Sequence, residues 1–209
     1  TEFVYNASGQ VTITRQKSLS TQETRQSFNF YDVSHRLIAT VDPEGSIVEF
    51  RYDHAGRKVQ TIQYANTNTQ VQADSKLADL IKPDNAKDIR SFSYYDKDDR
   101  LVASINGEGF LTEYVYDNLN LLRKTIAYQR ALSSSDYSEN SELDQLRALA
   151  GSALTISEKE YDVLNRLKSE KTSDGSITRL EYDQSGNVVS SITAAGTLDS
   201  RQLTQQYDA

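Results

Sequence analysis

Tandem antiparallel β-hairpins, a mainly β chain with two short helical inserts, are predicted by three features of the 209-residue sequence. The dipeptide Tyr-Asp recurs seven times, at Tyr31-Asp32, Tyr52-Asp53, Tyr95-Asp96, Tyr116-Asp117, Tyr161-Asp162, Tyr182-Asp183 and Tyr207-Asp208, with a degenerate copy at Tyr5-Asn6. Four residues after each Tyr but Tyr207 stands a residue suited to a corner: Gly9, His35, Gly56, Asp99, Asn120, Asn165 and Gly186. Segments between these corners alternate with a period of two, the mark of a strand and not of a helix. A repeat of this kind is read before any single residue, because each unit exists to bury a face against its neighbours.

The Tyr-Asp corner has a definite chemistry. Asp is favoured as the first residue of a type I turn, where its carboxylate accepts a backbone N–H two residues on. Gly tolerates positive φ, and Asn, Asp and His are the other residues enriched there. A type I turn closed by one left-handed residue is a common hairpin connection. Positive φ is therefore expected at His35, Gly56, Asp99, Asn120, Asn165 and Gly186. The next positions start a strand, as in Arg36-Leu37, Arg57-Lys58, Arg100-Leu101 and Arg166-Leu167, with Leu121-Leu122 and Asn187-Val188 departing.

A second turn precedes alternate Tyr-Asp pairs. Asp42-Pro43-Glu44-Gly45, Asn106-Gly107-Glu108-Gly109 and Ser173-Asp174-Gly175 introduce strands expected over 46–53, 110–117 and 176–183. Val48, Phe50 and Tyr52 share one face of the first, Thr112, Tyr114 and Tyr116 of the second, and Thr178, Leu180 and Tyr182 of the third. Gaps of 21 residues between the tyrosines alternate with gaps of 43 and 45. This spacing predicts super-repeats over 31–94, 95–160 and 161–209, with helical inserts in 65–88 and 131–153. A helix is expected near 74–82, with Asp74 as cap, Leu77, Leu80 and Ile81 on one face, and Pro83 as the stop. Another is expected near 141–150, with Ser141 and Asp144 resembling a capping box and Gly151 at the end.

Composition narrows the function. Hydrophobic residues make up 37% and mean hydropathy is −0.64, lean for a thick core. Thirteen of the nineteen aromatics are Tyr, which packs its ring while its hydroxyl reaches water or a partner. Ser, Thr and Gln, as at Gln60, Gln63, Ser190 and Ser191, are expected on the opposite, wetted faces. There is no Cys, hence neither a disulfide framework nor a thiolate metal site. The net charge of −7 comes from 23 basic and 30 acidic residues; no basic stripe suggests nucleic-acid binding. No apolar run reaches membrane-spanning length, and no signal peptide is visible. The chain opens on Thr1 and stops at Ala209 inside a repeat, so it is expected to be a piece of a longer array.

The unit Tyr-Asp-x-x-Gly-Arg-Leu, followed by a Gly turn and a strand ending in Tyr-x-Tyr-Asp, resembles the YD repeat of Rhs proteins. Tyr52-Asp53-His54-Ala55-Gly56-Arg57 is the nearest single match. That family takes in bacterial Rhs and other polymorphic toxins, C-type components of insecticidal Tc toxins, and animal teneurins. The resemblance implies a long β-sheet that spirals into a hollow shell, enclosing a C-terminal toxic domain in the toxins. It also assigns a structural role to Tyr31, Asp32, Tyr52, Asp53, Gly56, Arg57, Tyr95, Asp96, Tyr116, Asp117, Tyr161, Asp162, Tyr182, Asp183 and Gly186. The two inserts are longer than the family's usual spacing.

Groups that could carry chemistry read better as turns. Asp42-Pro43-Glu44-Gly45 has the Asp-Pro-x-Gly letters of the family's autoproteolytic element, but it sits where sister repeats make turns and lacks the flanking motif. His35 and His54, the two histidines, occupy Tyr-Asp turn positions with no nucleophile motif nearby. Asp96, Asp98 and Asp99 lack the ligand spacing of an EF-hand. No catalytic, cofactor or metal residue is assigned. The expected function is a non-enzymatic structural segment of a large secreted or cell-surface Rhs-type protein, part of a β-shell around a toxin domain. Its partners are neighbouring repeats of the same polypeptide, with an enclosed toxin domain or a surface receptor or glycan beyond them. An adhesin-like module binding glycan or protein through a Tyr-rich face is the alternative.

Overall fold

A computed structural model describes residues 1–18, 22–84, 86–194 and 200–205. Among these residues there are fifteen strands and two helices. The first strands are β1 (Glu2–Tyr5), β2 (Val11–Lys17), β3 (Thr24–Tyr31), β4 (Leu37–Val41), β5 (Ile47–Tyr52) and β6 (Lys58–Gln63), followed by α1 (Leu77–Leu80). Next come β7 (Ile89–Tyr95), β8 (Leu101–Ile105), β9 (Leu111–Tyr116), β10 (Leu122–Tyr128) and α2 (Leu143–Ala150). The chain closes with β11 (Ala153–Tyr161), β12 (Leu167–Thr172), β13 (Ile177–Tyr182), β14 (Val188–Thr193) and β15 (Arg201–Thr204). All fifteen strands form one sheet in chain order. Two compact units divide the chain, Thr1–Ser93 with Asn106–Glu108, and Tyr94–Ile105 with Gly109–Ala209. No helix among the described residues is long and apolar enough to cross a membrane.

The hairpin corners follow from their residues. At Asp32–His35 the His35 N–H donates to the Asp32 carbonyl and the Asp32 N–H to the Arg36 carbonyl, both at 3.0 Å. The Asp32 carboxylate accepts the Ser34 and Arg36 N–H groups at 2.9 Å. His35, Asp99, Asn120 and Asn165 have φ of 62–64°, and Gly56 and Gly186 have 83° and 90°. The strand register slips by one residue just before the Tyr at Tyr31, Tyr52, Tyr161 and Tyr182. A type I turn with a left-handed fourth residue produces that bulge. Tyr207-Asp208 lies outside the described residues.

Strands β5, β9 and β13 have the expected period but are six residues long, not eight, because the flanking turns claim Ser46 and Asp53, Phe110 and Asp117, and Ser176 and Asp183. The expected faces are present, yet the buried side is the other one. Ile13 pairs with Phe28, Phe28 with Val41, and Val41 with Ile47, one row on one face. With Ile62, Tyr64, Val71 and Leu80 these residues form the core of the first unit. Val48 and Phe50 lie on the opposite face. In the second unit Ala103, Ile105, Leu111, Leu132, Leu146 and Ala150 are buried. The inserts cover the sheet on the Ile47 and Leu111 side, which decides burial regardless of the tyrosines. The assignment of Gln60 and Ser190 to a wetted face is corrected: both are buried, Gln60 on the insert-covered face and Ser190 with its hydroxyl accepting the Gln202 amide at 3.2 Å. Gln63 remains exposed and Ser191 half-buried.

Both helices are shorter than their apolar stripes suggested, and neither uses its expected cap. α1 is a single turn preceded by Lys76, with no side-chain cap from Asp74. It ends three residues before Pro83. α2 begins after Glu142, again without a side-chain cap. Ser141 is not free to cap, because its hydroxyl accepts the Ser138 N–H at 2.8 Å in a turn of its own. Gly151 does end α2, at φ 79°.

Candidate functional site: a tyrosine ladder and two clasped inserts

The Tyr-Asp corners are linked to one another by side chains. The Tyr52 hydroxyl donates to the Leu37 carbonyl at 2.7 Å, Tyr116 to Leu101 at 3.0 Å, Tyr161 to Leu122 at 2.9 Å, and Tyr182 to Leu167 at 2.7 Å. Tyr31 donates to Val11 at 3.0 Å. In every case the acceptor lies six residues after the Tyr of the preceding repeat. Each hydroxyl thus staples its hairpin to the previous one.

Arginines fill the space between the rungs. Arg36, Arg57, Arg100 and Arg166 donate Nε to the carboxylates of Asp32, Asp53, Asp96 and Asp162 at 2.7–2.8 Å. The guanidinium of Arg36 then lies 4.8 Å from the ring centre of Tyr52, Arg100 5.3 Å from Tyr116, and Arg166 4.4 Å from Tyr182. This is cation–π distance. Leu121 breaks the pattern, and Arg123 replaces it by reaching Asp117 at 2.6 Å and lying 5.1 Å from the Tyr161 ring. Asn187 replaces it for Asp183 through an amide hydrogen bond of 3.0 Å. Tyr95 ends β7 one residue before the paired Asp96, and Gly56 and Gly186 close their turns.

These contacts keep the aspartates ionised. At Asp162 the Arg166 backbone N–H holds the carboxyl below its ordinary value; partial desolvation opposes it and the Arg166 side chain adds to it. At Asp183 the Asn187 backbone N–H and then its side chain do the same.

The inserts bring together residues that the repeat pattern did not single out. The Asn68 N–H donates to the Gly45 carbonyl at 2.8 Å, and the Leu132 N–H to the Gly109 carbonyl at 2.9 Å. A Cβ on Gly45 would lie 2.6 Å from the Asn68 backbone, and one on Gly109 2.3 Å from the Leu132 carbonyl oxygen. Four residues after each Gly is a strand Glu that faces the insert. Glu49 accepts the Tyr64 hydroxyl and the Arg51 Nε, the latter at 2.8 Å. Glu113 is 1% exposed. It accepts the Tyr128 hydroxyl at 2.5 Å and two Arg147 donors at 2.8 and 2.7 Å. Burial, then the glutamate hydrogen bond, push both Tyr64 and Tyr128 up to about 12. The Glu113 hydrogen bond raises Arg147 well above its ordinary value. The loop before α2 is pinned separately, by the Tyr94 hydroxyl on the Ser138 carbonyl at 2.8 Å. A Glu in a strand reads as solvent-facing, so only its recurrence four residues after a turn Gly could have flagged this pair.

The residues weighed for chemistry sit in turns. Asp42 accepts the Glu44 and Ser46 N–H groups at 2.9 and 2.8 Å, closing an ordinary corner at Asp42–Gly45. His35 holds its left-handed position, and His54 is exposed beside the paired Asp53. Asp96 is engaged by Arg100.

Residues 31–69 and 161–198 match the RHS Repeat family model. The crystal structure of TcdB2-TccC3-Cdc42 is similar over 91% of this chain and 10% of its own, with 17% identity and a TM-score of 0.51. The crystal structure of TcdB2-TccC3 without its hypervariable C-terminal region gives the same figures. At that identity the likeness is one of fold, and this chain spans about a tenth of the length of those chains. No curated protein matches it.

Proposed function

We propose that this chain, whose residues 31–69 and 161–198 match the RHS Repeat family model, is a non-enzymatic wall segment of a larger secreted or surface protein. In this reading the segment forms part of a β-shell that encloses or presents a toxin domain. The Tyr, Asp, Gly and Arg residues of the repeat hold successive hairpins together, and the super-repeats over 31–94, 95–160 and 161–209 are its building units. Its partners are the neighbouring repeats and the enclosed domain.

The ladder is the observation that carries this reading. An active site keeps its reactive groups available, whereas here the Tyr hydroxyls bind backbone carbonyls and the Asp carboxylates bind backbone N–H groups and side chains of their own turns. The same fact weakens the adhesin-like alternative. Sugar stacking needs open aromatic faces, and the rings of Tyr52, Tyr116, Tyr161 and Tyr182 each carry a guanidinium.

Electron microscopy of the full parent protein, combined with limited proteolysis, tests the reading. Residues 31–194 should lie in the wall of a closed shell, and the polypeptide following the array should resist protease. An open stalk whose sheet face binds an external partner would support the adhesin and sink the shell.

A further inference from the structure

The two inserts share a Ser-x-Leu-x-x-Leu run, Ser75-Leu77-Leu80 and Ser141-Leu143-Leu146, and little else, and each is held to the sheet in the same way and at the same spacing. Counting from the turn Gly, the apolar strand residue is at +2 (Ile47, Leu111) and the insert-facing glutamate at +4 (Glu49, Glu113). A second apolar residue is at +17 (Ile62, Ile126) and the tyrosine at +19 (Tyr64, Tyr128). The insert N–H that reaches back to the Gly carbonyl is at +23 (Asn68, Leu132).

The third repeat supplies an internal control. Gly175, Ile177 and Ile192 keep the Gly, +2 and +17 positions, but +4 is Arg179 and +19 is Ala194. Here the gap from Tyr182 to Tyr207 is 25 residues, against 43 and 45 where inserts occur. Among the described residues nothing lies within 4 Å of where a Gly175 Cβ would be, and Arg179 is exposed. The sheet positions therefore persist without an insert, while the Glu and the Tyr are lost together with it. Sheet formation does not require the pair.

We propose that the Glu-Tyr pair is a clasp that seats inserts on this face of the sheet, its partner being the chain segment that follows the Tyr. The physical reason lies in the carboxylate. A buried carboxylate is tolerated only when paired and hydrogen-bonded. The Tyr just before the insert supplies one donor, and in the second clasp Arg147 of α2 supplies two more. Glu113 is fully satisfied only in the register that brings Arg147 to it, so a slip of the second insert leaves a buried charge short of donors, whereas Glu49 is half-buried. The clasp thus selects one register for a segment with little apolar content. Glu49 and Tyr64 are closed by Arg51 of the same strand, whereas Glu113 depends on the helix, so the two clasps differ in what their loss would release.

Hydrogen exchange read by mass spectrometry tests the proposal on the intact chain. Arg147→Ala and Glu113→Gln should speed exchange of amides 143–150 by about tenfold or more, the effect of losing a hydrogen bond to a charged group. Peptides from β12 to β14 and from the first insert should keep wild-type rates. Unchanged exchange at 143–150 in both variants would overturn the proposal, as would equal acceleration across the sheet. Transplantation provides the second arm: residues 129–152 placed after residue 194 should become protected only alongside Arg179→Glu and Ala194→Tyr. Equal protection without those two changes would show that the pair does not select the insert. If no transplant folds, the loss variants decide.

Discussion

Asn165 holds φ at 62° in the column where Gly56 and Gly186 stand in sister turns. A β-branched side chain there would force the backbone out of the left-handed region. Asn165→Val should therefore cost roughly 1–3 kcal/mol, while Asn165→Gly should be nearly neutral; urea midpoints of the two variants check this. The Tyr hydroxyls form a second column. Tyr182→Phe keeps the ring under Arg166 and loses only the bond to the Leu167 carbonyl, for an expected cost of about 1 kcal/mol. A value near zero would mean that water replaces the hydroxyl without loss. The left-handed column was legible in the sequence because few residue types tolerate that backbone. The partner of each hydroxyl was not, since any residue supplies a carbonyl. The Asp–Arg pairing was half-visible in the four-residue spacing, but Arg123 could not be foreseen to replace the missing Arg at position 121.

Protonation of the same aspartates links residues to pH. Asp32, Asp162 and Asp183 are depressed below the ordinary 3.8 when folded. A depressed group stabilises the fold above its unfolded pKa and loses that contribution as pH falls through the folded value. The thermal midpoint should thus be insensitive to these groups from neutrality down to about pH 5 and fall below about pH 4. Asp162→Asn should start lower at neutral pH and fall less steeply in acid. Identical slopes for wild type and variant would remove the turn aspartates as a cause of acid instability.

At the scale of elements, the three turn glycines separate two demands that the sequence merges. Gly45, Gly109 and Gly175 all have φ of 83–89°, so Ala at any of them meets backbone strain of about 1–2 kcal/mol. Only Gly45 and Gly109 also touch an insert backbone. Gly109→Ala must displace Leu132 or the turn itself, and should lower the thermal midpoint well beyond Gly175→Ala. Comparable losses for the two would mean that the insert yields without cost. Element boundaries show the same division between local and tertiary control. Strands and hairpin corners were legible because turn chemistry fixes them locally. The side of the sheet that is buried was not, because it is set by inserts with little periodicity. Helix caps failed for a similar reason: Ser141 meets a nearer backbone N–H before the helix begins.

For the whole molecule, stability should be graded along the chain. In a repeat array each unit rests on its neighbours, so local burial controls local opening. Every strand from β4 to β9 contributes at least one buried residue. From β11 onward the described strands contribute Ser190 alone, and the face continuous with Ile126 carries exposed Glu158, Lys171, Arg179 and Glu181. Cross-strand pairs such as Lys124–Glu158 at 3.3 Å are too exposed to compensate. Among the described residues β1 and β15 each have one partner strand, and all of β15 is exposed. Exchange protection should therefore peak between β4 and β10, decline through β11 to β14, and be least in β1 and β15. Unfolding should depart from a single two-state transition, with probes in β12 to β14 moving before those in β5 to β9. Coincident transitions from both regions would show that the ladder of Tyr and Arg side chains, present in both, transmits stability along the sheet and outweighs the loss of core beneath it.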